Sequence, residues 1–296
     1  MKLLSDFDGV WTFPAAEGTA HGAALDAALL ALLPTETDAA RDWIGAARWA
    51  VRQEPMRWGW SVAGRLSAFG DEDPFTEHGA VLHYLALQAE RDPLAARLVA
   101  AIEAKGQSIE GFGGDAHVAG VKQVESTRGP GITEAAADAG RRMLAGGIEI
   151  VVVSNSGTEK LQRWFEHARV PAVVHPTQVD GQLRLRGSAK KFVLGPSPGK
   201  QIMVGDLSID VARPFYTQVL DEEAPDAVVG DVLSLDLSLP LHLKRTQVAW
   251  KHVRLFWLMH PYTPERMKRE VAKLAPGEVE MVEGGLAGVA ERLLAR

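Results

Sequence analysis

The sequence predicts an α/β fold, in which a parallel sheet is interrupted by a mainly α-helical insert. From Ile132 onward, short apolar runs alternate with segments of helical periodicity, which is the order that a parallel sheet with covering helices requires. In the stretch before Lys105, Ala, Leu and Trp recur at helical spacing instead. One short apolar run, Lys2-Leu3-Leu4, precedes that stretch. The expected domains are 1–13 with 130–296 for the sheet, and 14–129 for the insert.

The insert is punctuated by prolines, which separate segments of helical periodicity. The predicted helices are 19–33, 36–53, 57–69, 76–91 and 94–104. A glycine-rich stretch, 106–131, follows them and predicts a loop or hinge.

The sheet domain can be followed element by element. A helix over 133–145 leads into Ile148–Val153, a continuous apolar run that suits a strand covered on both faces. The remaining elements are a helix over 157–168, strands at 172–175, 201–205 and 227–230, a helix from about Ser208, and a final helix near 285–295.

The composition is that of a globular protein and argues against several functional classes. The 296 residues are 46% hydrophobic and 24% charged, with no cysteine, so disulfides, thiolate metal sites and cysteine nucleophiles are absent. A formal net charge of −6 argues against non-specific nucleic-acid binding. The first residues hold no apolar stretch long enough for a signal peptide, and no run suggests a membrane span. We therefore expect a cytoplasmic protein with no membrane partner.

Two acidic motifs each follow an apolar run. The first is Asp6-Phe7-Asp8-Gly9, and the second is Gly205-Asp206 with Asp210. Ligands of open parallel sheets bind outside the carboxyl ends of the strands, so the two motifs are expected to converge. Four carboxylates in one place repel one another unless a cation lies among them, and such oxygen ligands suit Mg²⁺. The motifs therefore predict a magnesium-dependent phosphoryl-transfer site.

These residues resemble the motifs of the haloacid dehalogenase-like (HAD) superfamily of aspartate-nucleophile phosphatases. Asp6-Phe7-Asp8-Gly9-Val10 is similar to the first motif, and Ser154-Asn155 at the end of a strand is similar to the second. Ala189-Lys190-Lys191 resembles the third, and Gly205-Asp206 with Asp210 the fourth. The resemblance implies a Rossmann-like core, with the helical insert in the position of the family's mobile cap. Lys190 and Lys191 both remain open as the lysine of the third motif.

The residue types suit the chemistry that the resemblance implies. Asp6 would attack phosphorus as the nucleophile, and Asp8 would protonate the leaving alcohol and later activate water. Lys190 and Ser154 would bind phosphate oxygens, with Asn155 nearby as a substrate contact. The expected Mg²⁺ ligands are Asp6, Asp8 through its backbone carbonyl, Asp206 and Asp210. Asp8 also argues against dehalogenases, which resemble this chain in fold but typically lack the second aspartate.

A second Gly-Asp pair, Gly230-Asp231, also follows a predicted strand. Its next carboxylate is Asp236, at a different spacing, and it suits the last motif less well than Gly205-Asp206. In the insert, Arg48 and Arg52 lie on one helical face. They are either a clamp for an anionic leaving group or a solvated basic stripe.

The sequence therefore predicts Mg-dependent hydrolysis of a small phosphomonoester, with a small phosphorylated metabolite as the partner. Two alternatives stay open. One is a phosphotransferase or phosphomutase that uses the same aspartyl-phosphate, and the other is a non-catalytic binding protein on a retained fold. The sequence makes no prediction of the oligomeric state.

Overall fold

The computed structural model describes residues 1–197 and 199–295. The chain divides into two compact units, Met1–Phe13 with Pro130–Arg296, and Pro14–Gly129. We call the first the sheet unit and the second the inserted unit. No described helix combines the length and the apolar character needed to cross a bilayer.

The sheet unit is built on seven parallel strands in the order β11-β10-β9-β1-β4-β6-β5. The strands are β1 (Lys2–Ser5), β4 (Glu149–Val153), β5 (Ala172–Val174), β6 (Leu183–Arg186), β9 (Ala227–Gly230), β10 (Arg254–Leu258) and β11 (Glu280–Val282). The central strand β1 pairs with β4 on one side and with β9 on the other. The β9 residues are all buried, as expected for a strand that helices cover on both faces. The predicted Rossmann-like parallel α/β sheet is thereby confirmed.

Among its described residues, the sheet unit has six α-helices. They are α6 (Glu134–Ala145), α7 (Thr158–His167), α8 (Pro214–Glu223), α9 (Ser238–Thr246), α10 (Glu265–Val271) and α11 (Gly285–Leu294). The hydroxyl of Thr133 caps α6 by accepting from the N–H of Ala136 at 3.2 Å. Gly140 lets α6 pack closely on the buried indole of Trp11, since a Cβ at Gly140 would lie 2.5 Å from that ring. Packing of this kind fixes the helices against the sheet.

The segment at 201–210 differs from the prediction. It forms an antiparallel hairpin of β7 (Gln201–Val204) and β8 (Leu207–Asp210), outside the main sheet. Exposed and buried residues alternate along β7, which is the pattern of a strand covered on one face only. Residues 201–205 are therefore not a strand of the parallel sheet, and no helix begins near Ser208.

The inserted unit contains five helices and a short hairpin. Its elements are α1 (Ala15–Leu30), α2 (Thr37–Gln53), β2 (Gly59–Val62), β3 (Arg65–Phe69), α3 (Thr76–Gln88), α4 (Pro93–Ala104) and α5 (Ile109–Arg128). The helix predicted over 57–69 is wrong, because these residues form the β2–β3 hairpin. Ala63 and Gly64, both at positive φ, make its turn.

The loop or hinge predicted over 106–131 is also wrong, since most of this stretch is α5. Two of its glycines serve close packing. A Cβ at Gly113 would lie 2.5 Å from the side chain of Leu82, and one at Gly120 would lie 2.6 Å from the backbone of His21 on α1. Gly113 therefore lets α5 approach α3, and Gly120 lets α5 approach α1.

Backbone hydrogen bonds join the two ends of the break in the sheet unit. Thr12 forms an antiparallel bridge with Ile132, and the N–H of Thr133 donates to the carbonyl of Trp11 at 2.9 Å. The chain thus leaves the sheet unit and returns to it at adjacent points.

Candidate active site

Three buried aspartates meet beyond the carboxyl ends of two neighbouring strands. Asp6 directly follows β1 and Asp231 directly follows β9, and these strands pair in parallel. Asp236 lies in the π-helical turn Leu233–Leu237 that comes next. One carboxylate oxygen from each aspartate lies within 4.8 Å of the others. Carboxylate oxygens are the ligands that hard divalent cations prefer, so this cluster fits Mg²⁺.

The side chain of Lys191 lies between two of these carboxylates. Its Nζ donates to Oδ1 of Asp6 at 2.5 Å and to Oδ1 of Asp236 at 2.6 Å. The backbone of Lys191 is held as well. Its N–H donates to Oδ1 of Asn155 at 2.8 Å, and its carbonyl accepts from Nη1 of Arg213 at 2.7 Å. Asn155, predicted as a substrate contact, therefore holds the lysine segment in place.

Lys190 does not join this cluster. It is exposed, and its Nζ lies 5.1 Å from the centroid of the Phe215 ring. Its backbone has φ +52°, so the chain turns sharply between the two lysines. Of the two candidates that the sequence leaves open, Lys191 is the one among the carboxylates.

The cluster changes the proton affinity of its own members. Burial, together with the negative charges of Asp236 and Asp8, raises the pKa of Asp6 to about 8 against the opposing effect of Lys191. Burial disfavours the charged form of Lys191, but the carboxylates of Asp236 and Asp6 raise its pKa well above the ordinary range. One ammonium among three carboxylates leaves an excess of negative charge. A bound cation would offset that excess and favour ionised Asp6.

Asp8 has a separate set of partners on the β4 side of the site. Its Oδ2 accepts from Oγ of Ser156 at 2.9 Å and from Oγ of Ser154 at 3.5 Å. Its Oδ1 accepts from Nζ of Lys160 at 3.1 Å. Lys160 is buried on α7, with its Nζ 4.6 Å from the centroid of the Trp164 ring. The carboxylate of Asp8 is therefore held in one orientation.

Ser156 and Lys160 were missed by the sequence analysis. Lys160 shares the buried face of α7 with Leu161, Trp164 and Phe165. A lysine on such a face needs a partner for its charge, and this is the signal that could have identified it. Ser156 gives no comparable signal, because a serine just before a helix is more simply explained as a cap.

Gly9 lies in the turn that directly follows Asp6 and Asp8. Its φ is +78°, and a Cβ at this position would collide with the carboxylate of Asp231. The first motif and Asp231 are therefore packed directly together, and only glycine fits between them.

Asp206 and Asp210 lie on the β7–β8 hairpin, and the cluster contains neither. Asp206 is exposed in the hairpin turn and pairs with Nζ of Lys273 at 2.7 Å. Asp210 accepts from the N–H of Ala212 at 2.9 Å through Oδ1. Asp231 and Asp236 occupy the place that was predicted for these two residues, because β9 and not β7 lies beside β1.

Arg48 and Arg52 take part in ion pairs within the inserted unit. Arg48 contacts Asp26 at 2.6 Å and Glu77 at 3.0 Å, and Arg52 contacts Glu77 at 2.9 Å. Their guanidinium groups are therefore already paired with carboxylates. These contacts favour a structural role over the predicted clamp.

No family model matches the sequence, and no curated protein matches it. Among solved structures, the chain is similar to a 2-haloacid dehalogenase from Pseudomonas syringae pv. Tomato DC3000, with 13% identity over 99% of this chain and 97% of that chain and a TM-score of 0.43. A haloacid dehalogenase-like family hydrolase from Xanthomonas campestris has 13% identity over 99% and 95% of the two chains and a TM-score of 0.40. The magnesium-bound HAD-hydrolase YfnB from Bacillus subtilis has 13% identity over 92% of this chain and 98% of that chain, with a TM-score of 0.36. Likeness at these levels carries no argument about activity.

Proposed function

We propose that this chain is a HAD-like hydrolase that cleaves a small phosphomonoester with the help of Mg²⁺. The observation that carries the proposal is the contact of Lys191 with both Asp6 and Asp236. This contact unites a candidate nucleophile, a phosphate-binding cation and a set of metal ligands beyond the carboxyl ends of the strands. Asp8, held beside the cluster by Ser156 and Lys160, adds a candidate acid and base.

The residues that would hold Mg²⁺ are Asp6, Asp231 and Asp236, with the backbone carbonyl of Asp8 as a further ligand. Their fit rests on the close approach of three buried carboxylates with only one ammonium among them. When bound, Mg²⁺ would neutralise negative charge on the transferring phosphoryl group.

In the first half of the reaction, a carboxylate oxygen of Asp6 attacks phosphorus and the bond from phosphorus to the alcohol oxygen breaks. Asp8 gives its proton to that oxygen, so a neutral alcohol leaves and an aspartyl-phosphate remains on Asp6. Water then attacks the same phosphorus and Asp8 takes a proton from it, while the bond from phosphorus to the carboxylate oxygen of Asp6 breaks. Inorganic phosphate leaves, and the carboxylate of Asp6 and the protonated form of Asp8 are restored. Lys191 and the hydroxyl of Ser154 are placed to stabilise charge on the phosphoryl oxygens.

We assign the inserted unit to the role of a cap that selects the substrate. This assignment rests on its place in the sequence, between the segment of Asp6 and the segment of Ser154. Because Arg48 and Arg52 are already paired with carboxylates, we do not assign them to substrate binding.

The test is phosphate release from an aryl phosphate and from a panel of phosphorylated metabolites, with Mg²⁺ and with a chelator. Asp8→Asn should slow an alkyl phosphate far more than a nitrophenyl phosphate, since nitrophenolate hardly needs protonation to leave. Equal slowing of both esters would remove Asp8 as the proton donor. Transfer of phosphate to an added alcohol in preference to water would identify a phosphotransferase, and the absence of any metal-dependent turnover would contradict an enzymatic role.

A further inference from the structure

The loop that follows β10 contacts the turn of the first motif. Nε2 of His260 lies 2.6 Å from the carbonyl oxygen of Gly9. A carbonyl can only accept a hydrogen bond, so the imidazole donates through Nε2. The N–H of His260 donates to the hydroxyl of Thr263 at 2.8 Å, which closes the loop on itself. The loop therefore presents a fixed donor to the turn that directly follows Asp8.

The same loop also contacts the metal-binding cluster. The hydroxyl of Tyr262 donates to Oδ2 of Asp231 at 2.9 Å. Its ring is stacked on that of His260, with centroids 4.9 Å apart and planes 20° apart. The two donors are thus held in a fixed relation to each other.

The two contacted groups are themselves packed together. Gly9 leaves no room for a Cβ against the carboxylate of Asp231, and the carbonyl of Asp231 accepts from Nε1 of Trp257 at 2.8 Å. A carboxylate held through one oxygen presents its other oxygen in a defined direction. The loop therefore fixes where Asp231 points relative to the Gly9 turn, which directly follows Asp6 and Asp8.

We propose that His260 and Tyr262 are positioning residues that align Asp231 and the Gly9 turn so that both face one divalent cation. This inference rests on the metal site of the proposed function. It assigns no chemistry to either ring. Tyr262 orients a carboxylate ligand, and His260 fixes the backbone of the loop that carries Asp6 and Asp8.

The first experiment measures Mg²⁺ binding by isothermal titration calorimetry in the absence of any substrate. Tyr262→Phe keeps the stacked ring and removes the hydroxyl, so its Kd for Mg²⁺ should rise by about tenfold to a hundredfold. The matched control is Tyr84→Phe, which removes the same atom from a ring packed against Trp43 and Trp58 in the inserted unit. Its Kd should equal that of the unaltered chain. A Tyr262→Phe protein that binds Mg²⁺ as tightly as this control would overturn the proposal.

The second experiment uses His260. His260→Gln keeps a side-chain N–H and should retain most of the Mg²⁺ affinity. His260→Ala removes the donor, so its Kd for Mg²⁺ should rise about as much as that of Tyr262→Phe. Thermal unfolding in a chelator separates a metal effect from a folding effect, since a positioning role predicts weaker binding at an unchanged melting temperature. Equal Kd values for the two His260 variants would show that the hydrogen bond from His260 to the carbonyl of Gly9 does not position the metal site.

These measurements are independent of catalysis. If no phosphate ester is turned over but Tyr262→Phe still weakens Mg²⁺ binding, the inference stands and the proposed activity fails. If phosphate is released and the Kd for Mg²⁺ is the same in every variant, the inference alone fails. If the unaltered chain binds no Mg²⁺, the inference is overturned.

Discussion

The ammonium of Lys191 lies 2.6 Å from the carboxylate of Asp236 and 2.5 Å from that of Asp6. A single buried cation is thus shared by a carboxylate that follows β1 and a carboxylate from the turn after β9. The position of this cation connects the candidate nucleophile with the candidate metal ligands.

Asp6→Asn should lower kcat by several orders of magnitude and leave the fold intact, because amide and carboxylate have the same shape and the amide cannot act as the nucleophile. Phosphate release measures the first effect, and circular dichroism measures the second. Turnover close to that of the unaltered chain would exclude Asp6 as the nucleophile.

Asp231→Asn and Asp236→Asn should both raise the Mg²⁺ concentration needed for half-maximal activity. Asp206→Asn is the matched control, since Asp206 lies in the exposed hairpin turn beside Lys273. The three variants make the same chemical change, so a Mg²⁺ titration of phosphate release compares them directly. A shifted titration for Asp206→Asn alone would restore the fourth motif to the position that the sequence analysis gave it.

Lys191→Met should abolish most activity and destabilise the metal-free protein, because Asp6 and Asp236 then lose their shared counter-ion. Breaking a buried ion pair by removing one partner typically costs about 3–5 kcal/mol. Added Mg²⁺ should restore part of that stability, which thermal unfolding with and without chelator would detect. Lys190→Met is the control and should behave as the unaltered chain, and the reverse ranking of the two variants would contradict the assignment.

Mg²⁺ binding should tighten as the pH rises toward about 8, the pKa to which burial and neighbouring carboxylates raise Asp6. Below that pH the metal must displace a proton, so the apparent affinity should change by about tenfold for each pH unit and then level off. Titration calorimetry in buffers of different ionisation enthalpy would count the released proton. An affinity that does not depend on pH would show that Asp6 is already ionised without the metal.

The raised pKa of Asp6 also predicts how the stability of the protein depends on pH. The folded-state pKa of Asp6 is raised, so the native state binds the proton more strongly than the unfolded chain does. In the metal-free protein, the free energy of unfolding should therefore fall as the pH rises from about 3.8, the ordinary carboxyl value, to about 8. In Asp6→Asn, the free energy of unfolding should fall less over the same pH range, because an amide does not titrate. Chemical denaturation at a series of pH values measures the difference.

Arg48→Ala should destabilise the inserted unit by about 2 kcal/mol, because the guanidinium is hydrogen-bonded to two carboxylates in a partly buried position. Arg41→Ala, which removes an exposed pair with Asp38, should cost only about 0.3 kcal/mol. Chemical denaturation measures both effects. A large rise in KM for a phosphate ester at unchanged stability would instead favour the predicted clamp.

The sequence was sufficient to predict the strand before Asp6, the strand before Ser154 and the parallel sheet that contains both. Continuous apolar runs and alternation with helices specify such elements locally. Spacing alone selects the wrong one of the two Gly-Asp pairs, because both pairs follow short apolar runs. The run before Gly205-Asp206 contains the polar Gln201, whereas the run before Gly230-Asp231 is apolar throughout. The structure exposes Gln201 and Met203 in β7 and buries every residue of β9.

Other parts of the site depend on contacts between distant segments and could not be predicted locally. Which lysine enters the cluster depends on the backbone turn at Lys190 and on the hydrogen bond from the N–H of Lys191 to Asn155. The glycine-rich composition of α5 is typical of a loop and therefore predicts flexibility. The close contacts of Gly113 with Leu82 and of Gly120 with α1 can be recognised only when the partner surface is known.

The pairing of Thr12 with Ile132 also has a consequence for how this protein can change over evolutionary time. The bridge between Thr12 and Ile132 holds together the two ends of the break in the sheet unit. The inserted residues therefore behave, for the sheet unit, as a loop whose ends are already joined. Lengthening such a loop adds little entropic cost, since the cost grows only with the logarithm of the length. The length and the sequence of the inserted unit can therefore change at little entropic cost to the sheet unit, while the aspartates beyond β1 and β9 keep their register.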